Sequence, residues 1–202
     1  MRSSTLPLLL SGESAGLLRR LAGSSLACRA VRRIAVIGCG GSGKTRLARR
    51  LGALLDVPVI HLDAVYYDSA WNALPQEKFA ALQEELVAAP AWVIDGNYAS
   101  TLPIRLKAAD TVVFLDLPWW TCLWGIAQRQ WRHDAGQHDQ GVYNRITWGF
   151  VRYVLGYRRR MRPRVERLLA EHARGADVVV LRGRRAVRRF LTQVARATRA
   201  HA

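Results

Sequence analysis

Residues 38–45 read Gly-Cys-Gly-Gly-Ser-Gly-Lys-Thr, which fits the pattern G-x-x-x-x-G-K-[ST]. The octet follows an apolar run, Ile34-Ala-Val-Ile37, and precedes a helical pattern with leucines at 47, 51, 54 and 55. Strand, glycine-rich turn and helix in that order define a P-loop. The glycines let successive backbone N–H groups converge on a phosphate with no Cβ in the way, and the helix N-terminus adds partial positive charge there. Gly38, Cys39, Gly40, Gly41, Ser42 and Gly43 are therefore expected to form the cradle. Lys44 is expected to bridge β- and γ-phosphates and Thr45 to give its hydroxyl to Mg²⁺. The implied cofactors are ATP and Mg²⁺.

From residue 33 onward, short apolar runs alternate with longer helical stretches, as repeated βα units around a parallel sheet require. Strands are expected at 34–37, 59–62, 92–94, 112–115 and 178–181, each β-branched and nearly continuous in hydrophobicity, the pattern of strands covered on both faces. The fold class is α/β, in three layers. Helices are expected at 44–55, 75–88, 119–131, 146–172 and 185–199, with Gly149, Gly156 and Pro163 dividing or bending the fourth. Trp120, Trp124 and Trp131 recur at helical spacing and read as a packing stripe. A polar loop at 133–144, with Gly136 and Gly141, separates two arginine-bearing helices.

With 202 residues the chain has room for one domain, at 33–202, preceded by a poorly ordered extension at 1–32 rich in Ser, Leu and Arg. Its apolar runs are too short to span a membrane. Three cysteines, Cys28, Cys39 and Cys122, are odd in number and lack C-x-x-C spacing, which disfavours a disulfide framework and a zinc site. A reducing cytoplasm is the expected compartment. His133-Asp134 and His138-Asp139 lack further ligands for a metal site.

The net charge is +16, and it is unevenly spread: residues 34–128 carry 7 basic and 9 acidic side chains, residues 129–202 carry 18 and 5. A basic half can face nucleic acid, a membrane surface or an anionic small substrate, since guanidinium forks fit phosphate oxygens from any source. Only three of the 31 basic residues are lysines, a ratio that points to base composition and weakens a functional reading of charge alone.

A P-loop also needs a carboxylate near its metal. Two aspartates at strand ends compete, Asp95 after Trp92-Val93-Ile94 and Asp116 after Val112-Val113-Phe114-Leu115. On pattern alone Asp116 is the better match to a hydrophobic run ending in Asp, while either carboxylate could instead cap a turn. Asp63 ends the second strand. It is expected either to orient or deprotonate an acceptor hydroxyl or to cap the next helix.

The P-loop, His61-Leu-Asp63 with Tyr66 and Trp71, Val93-Ile-Asp-Gly-Asn-Tyr98 and Thr111-Val-Val-Phe-Leu-Asp-Leu-Pro118 together resemble the adenylate-kinase-related P-loop proteins known as FlaR-type DNA topology modulation proteins. The resemblance covers about residues 33–191. It implies a five-stranded parallel sheet in the order 2-3-1-4-5, with the third and fourth strands beside the P-loop strand. Asp95-Gly96 is similar to the Asp-Gly of nucleoside monophosphate kinases, whose Asp organises Mg²⁺ through water, so Asp95 becomes the first choice and Asp116 the second. Those kinases continue with Phe-Pro-Arg, where this chain has Asn97-Tyr98, which argues against a nucleoside monophosphate as acceptor.

The resemblance further implies a lid, at about 129–160, whose arginines close over the phosphates. Arg129 and Arg132 lie near the lid arginines of adenylate kinases, while an earlier lid position holds Gly125. Arg152, Arg158, Arg159, Arg160 and Arg162 follow on the exiting helix, and about two of them are expected to touch ligand. The combined reading is a kinase moving the γ-phosphoryl group of Mg·ATP to a small acceptor. Lys44, Thr45 and Asp95 serve the donor, Asp63, Asn97 and Tyr98 the acceptor, and Arg129, Arg132 and Arg158 the lid. The alternative is a nucleic-acid-associated ATPase or nucleotide switch.

Overall fold

The computed structural model describes residues 31–68, 72–132 and 147–200, without the side chains of residues 129, 130 and 132. Five strands are present: β1 (Arg33–Gly38), β2 (Val59–His61), β3 (Trp92–Asp95), β4 (Thr111–Leu115) and β5 (Asp177–Leu181). All four pairings are parallel and the order is β2-β3-β1-β4-β5. The expected α/β class, strand number and order are therefore all present. In register, Val36 pairs with Asp95 of β3 on one side and Gly38 with Leu115 of β4 on the other, so Asp95 and Asp116, the residue after Leu115, lie on opposite sides of the P-loop strand.

Strand alternation builds the layers. Ala35 and Ile37 join Trp92, Ile94, Val112 and Phe114 on one sheet face, under α3 (Gln76–Ala88), α4 (Leu102–Ala108) and α7 (Arg162–His172). Ile34 and Val36 join Val93, Val113 and Leu115 on the other, under α1 (Lys44–Leu55) and α8 (Arg184–Ala200). Burying each of these large side chains contributes about 1.5–3 kcal/mol. Both faces are covered, which is why the strands read as continuous apolar runs.

Two short helices escaped the sequence pattern: α2 (Leu62–Tyr66) and α4. With five and seven residues, neither is long enough to display a helical period. The long stretch expected at 146–172 divides at Met161, giving α6 (Trp148–Arg160) and α7, the latter with proline in its first turn. Arg32 already joins the sheet just ahead of the central strand β1: its carbonyl accepts from Trp92 N–H, and its own N–H donates to Asp110 Oδ2 at 2.9 Å.

A third apolar cluster caps the C-terminal edge of the sheet. Cys39 and Leu117 pack there with Cys122 and Ile126 of α5 (Trp119–Arg132) and with Val154 and Tyr157 of α6. It corrects the reading of the tryptophans, because Cys122 and Ile126 form the buried face of α5 while Trp120, Trp124 and Trp131 are 57, 54 and 78 % exposed. Helical spacing identified one face but not which side it turns to the protein. Among the described residues no helix is long and apolar enough to cross a membrane.

Candidate functional site

The octet forms a turn between β1 and α1. Gly43 caps α1 in the left-handed region (φ 93°) with no side-chain cap, so the first N–H groups of the helix have no side-chain partner. Lys44, half-buried, donates from Nζ to Cys39 O at 3.0 Å, folded onto the rim of its own loop. Ser42 is buried, and its Oγ lacks a hydrogen-bond partner among the described residues. Cys39 is buried beside Cys122; a hydrogen bond between the thiols, together with burial, pushes the Cys39 thiol up and keeps it protonated.

The aspartates on the two sides of β1 have different surroundings. Asp95, buried at the end of β3, accepts from Thr45 Oγ1 at 2.8 Å through Oδ2, and its Oδ1 lies 2.5 Å from His61 Nδ1. Asp116, equally buried, lies 3.3 Å from Arg162 Nε and 3.7 Å from Arg182 Nε, and its backbone N–H donates to Leu181 O. One carboxylate is tied to the P-loop threonine, the other to arginines of α7 and the end of β5.

His61 entered the sequence reading only as part of a motif. Its register partner on β3 is Asp95, a pairing that no local pattern in the sequence discloses.

Asp63 sits in the first turn of α2, two residues beyond His61, and is exposed. Tyr98 Oη donates to Asp63 Oδ1 at 2.7 Å. Burial, then the negative charge of Asp63 and the hydrogen bond to it, push the Tyr98 phenol up, so it remains a donor. Tyr66, Phe79 and Tyr98 pack ring to ring at centroid separations of 4.6–4.9 Å, giving the Asp63 side an aromatic wall. Behind it Arg105 is fully buried, its guanidinium hydrogen-bonded to Gln83 Oε1 and Gly96 O and pushed down to about 9 by burial. That supporting arginine was not singled out from the sequence.

A roof of α5 and α6 lies over the turn. A Cβ at Gly125 would come 2.2 Å from Gly41 O, and one at Gly41 would come 2.2 Å from Cys122 O, so these glycines allow α5 to rest directly on the P-loop. From α6, Phe150 reaches Gly40, where a Cβ would come 2.4 Å from its Cζ. Tyr153 Oη accepts from Asn97 Nδ2 at 2.9 Å, and burial pushes its phenol up to about 12. Asn97 thus links the end of β3 to the roof, beside Tyr98.

Of the expected lid arginines, Arg129 and Arg132 lie on α5, but their side chains fall outside the described residues, as does the whole loop at 133–144 with its histidines. Arg158 is exposed near the end of α6 and pairs with no carboxylate among the described residues. Arg152, Arg159 and Arg160 are exposed, while Arg162 pairs with Asp116 and with Glu166 at 3.0 Å.

The hydroxyl of Thr45 and the carboxylate of Asp95 are hard oxygen donors on one spot, a set that fits Mg²⁺. Among the described residues no cluster of three or more His, Cys, Asp or Glu could hold a metal by itself.

No family model and no curated protein matches this chain. Solved structures do. Shikimate kinase from Acinetobacter baumannii in complex with shikimate is 19 % identical, with TM-score 0.51 over 85 % of this chain and 94 % of that one. A gluconokinase from Sinorhizobium meliloti 1021 is 16 % identical, with TM-score 0.50 over 86 % and 95 %. At these identities the likeness is one of fold: the chain has a P-loop NTPase fold of the kind found in small-molecule kinases.

Proposed function

We propose that this protein is a kinase that transfers the γ-phosphoryl group of Mg·ATP to a hydroxyl of a small metabolite. The observation that carries this reading is the pair of carboxylates at the ends of adjacent strands. Asp95 is bonded to the P-loop threonine, and Asp63, two residues past the His61 that pairs with Asp95, is exposed and held by Tyr98. A hydrolase or switch needs the first; transfer to an alcohol is what uses the second. The structural neighbours named as shikimate kinase and gluconokinase support the same class of acceptor.

In this reading the P-loop N–H groups and Lys44 bind the phosphates, with Lys44 leaving the Cys39 carbonyl to do so. Thr45 and Asp95 would hold Mg²⁺, which neutralises charge on the transferring phosphoryl group when bound. The Asp63 oxygen Oδ1 is held by Tyr98, leaving Oδ2 to receive the acceptor's proton as its oxygen bonds to the γ-phosphorus and the bond to the ADP oxygen breaks. Asn97 and Tyr98 position the acceptor side. Arginines of the roof, Arg129, Arg132 and Arg158 among them, supply positive charge to the developing transition state.

The test is Mg·ATP consumption by the purified protein and by Lys44→Ala, with a panel of polyhydroxylated acids, small alcohols, nucleosides and nucleoside monophosphates, then with duplex DNA. Turnover that needs one hydroxylated acceptor and vanishes in Lys44→Ala is the expected result. The second reading, an ATPase of the FlaR type acting on DNA, draws on the motif resemblance and on the excess of 18 basic over 5 acidic residues in 129–202. Turnover that rises only with DNA and falls as salt is raised would replace the first reading by it.

A further inference from the structure

The turn between β5 and α8 brings Arg184 to the P-loop. A Cβ at Gly43 would lie 3.2 Å from Arg184 Nη1, and a Cβ at Gly125 would lie 3.5 Å from Nη2. The guanidinium thus occupies the space that two glycines, one in the P-loop and one in α5, leave without side chains. Among the described residues Arg184 pairs with no carboxylate, whereas its neighbour Arg182 reaches Asp116.

This is an unfavourable place for an unpaired cation. It lies beside the N-terminus of α1, whose N–H groups have no side-chain cap, and beside Lys44. It also stands in the first turn of its own helix, which contains no acidic residue. Both helix termini carry partial positive charge, so each disfavours a guanidinium. The buried Ser42 Oγ in the same loop likewise has no partner among the described residues. Converging, unneutralised donors of this kind are resolved by an anion.

We infer that Arg184 is a phosphate-binding residue of the donor site, forking onto the triphosphate of ATP from the β5–α8 turn. The inference rests on the P-loop being the ATP site, as proposed above. It assigns to a residue outside the motif and outside the roof helices a contact that binds phosphate rather than base. Arg184 is exposed, so its replacement leaves the core untouched.

The experiment is calorimetric titration of the full chain with Mg·ATP and with inorganic tripolyphosphate at fixed ionic strength. The variants are Arg184→Gln, Arg184→Lys, Arg185→Gln and Lys44→Ala. Arg184→Gln is expected to weaken both ligands by about tenfold or more, with partial recovery in Arg184→Lys, because the lost interaction is a charge-assisted fork. Arg185→Gln, one residue along the same helix, should stay within about twofold of wild type, since an exposed charge off the site contributes only screened attraction. Equal effects of Arg184→Gln and Arg185→Gln would overturn the inference, reducing it to bulk charge. Loss of ATP affinity with tripolyphosphate binding intact would overturn it too, in favour of a base contact. A wild type that binds neither ligand, like Lys44→Ala, would instead remove the donor-site reading on which it rests.

Discussion

The strands on either side of β1 each lead into a buried aspartate, Asp95 as the last residue of β3 and Asp116 directly after β4, and the two have different partners. Asp95 is 5 % exposed and Asp116 3 %. Asp95 touches the hydroxyl of Thr45 and the ring of His61. Asp116 faces Arg162 and Arg182, which belong to α7 and to the end of β5. Equal burial therefore conceals different bonding: one carboxylate meets the P-loop threonine and, in the proposed function, serves the metal, while the other pairs with arginines of the last third of the chain. Its consequence is that Asn substitutions at the two positions should fail in different ways.

Asp95→Asn carries the largest expected effect. It keeps the shape of the side chain but removes the charge that Thr45 and a bound cation share. Mg·ATP turnover should drop by about 10²–10³-fold, the scale of losing one electrostatic stabiliser in a site of this kind. The melting temperature should change little, because the amide can still hydrogen-bond Thr45. A rate within a few-fold of wild type would dissolve the contrast with Asp116.

Asp116→Asn should do the opposite. Breaking a buried ion pair costs several kcal/mol when both partners are buried. Here Arg182 is 65 % exposed and Arg162 27 %, so water compensates much of the loss and about 1–3 kcal/mol is expected. Thermal unfolding should move down by a few degrees for a domain of this size, with turnover per folded molecule retained. A loss of turnover as deep as that of Asp95→Asn, in a protein that still melts normally, would reverse the assignment.

The same pair shows what a sequence can disclose. Pattern alone ranked Asp116 first, since it ends the longer apolar run, and only the Asp-Gly resemblance reversed the order. The deciding geometry is the hydroxyl of Thr45 meeting a residue fifty positions later, and no local pattern encodes such a contact. The P-loop was legible because its work is done by consecutive backbone groups, so eight adjacent residues carry the signature. The five strands were legible because burial on both faces leaves continuous apolar runs. Illegible were the side chains that converge from distant elements: His61 on Asp95, Tyr98 on Asp63, Phe150 against Gly40 and Arg184 over Gly43. Short helices were lost for a different reason, being too brief to show a period.

Around Asp63, the acceptor side in the proposed function, the contrast becomes finer. Tyr98→Phe removes the donor to Asp63 Oδ1 while keeping the ring packed against Tyr66 and Phe79. The carboxylate is left free to rotate rather than destroyed. Acceptor-dependent kcat/KM should fall by about tenfold, a modest fraction of what a positioned general base contributes. The KM for ATP should be unchanged, because Tyr98 is tied to Asp63 and not to Asp95 or the P-loop. An equal rise in both KM values would mean that the ring cluster supports the whole site and not the acceptor half alone.

The smallest effect is expected on α5, the helix that begins three residues past Asp116. Cys122 and Ile126 press into the cluster above the P-loop, and Trp124, between them in sequence, turns outward. Trp124→Gln should change stability by less than about 0.5 kcal/mol, as surface substitutions away from specific contacts do, and leave turnover alone. Its partner Trp131, ring to ring at 6.0 Å, is exposed as well, so losing one indole opens no cavity. Chemical denaturation with a fluorescence readout measures this directly, since the variant removes one of the chain's seven indoles. A loss of several kcal/mol would return these tryptophans to the packing role their spacing suggested. It would also mean that the division drawn at Asp116 continues into the roof, with structural rather than solvent-facing side chains following it.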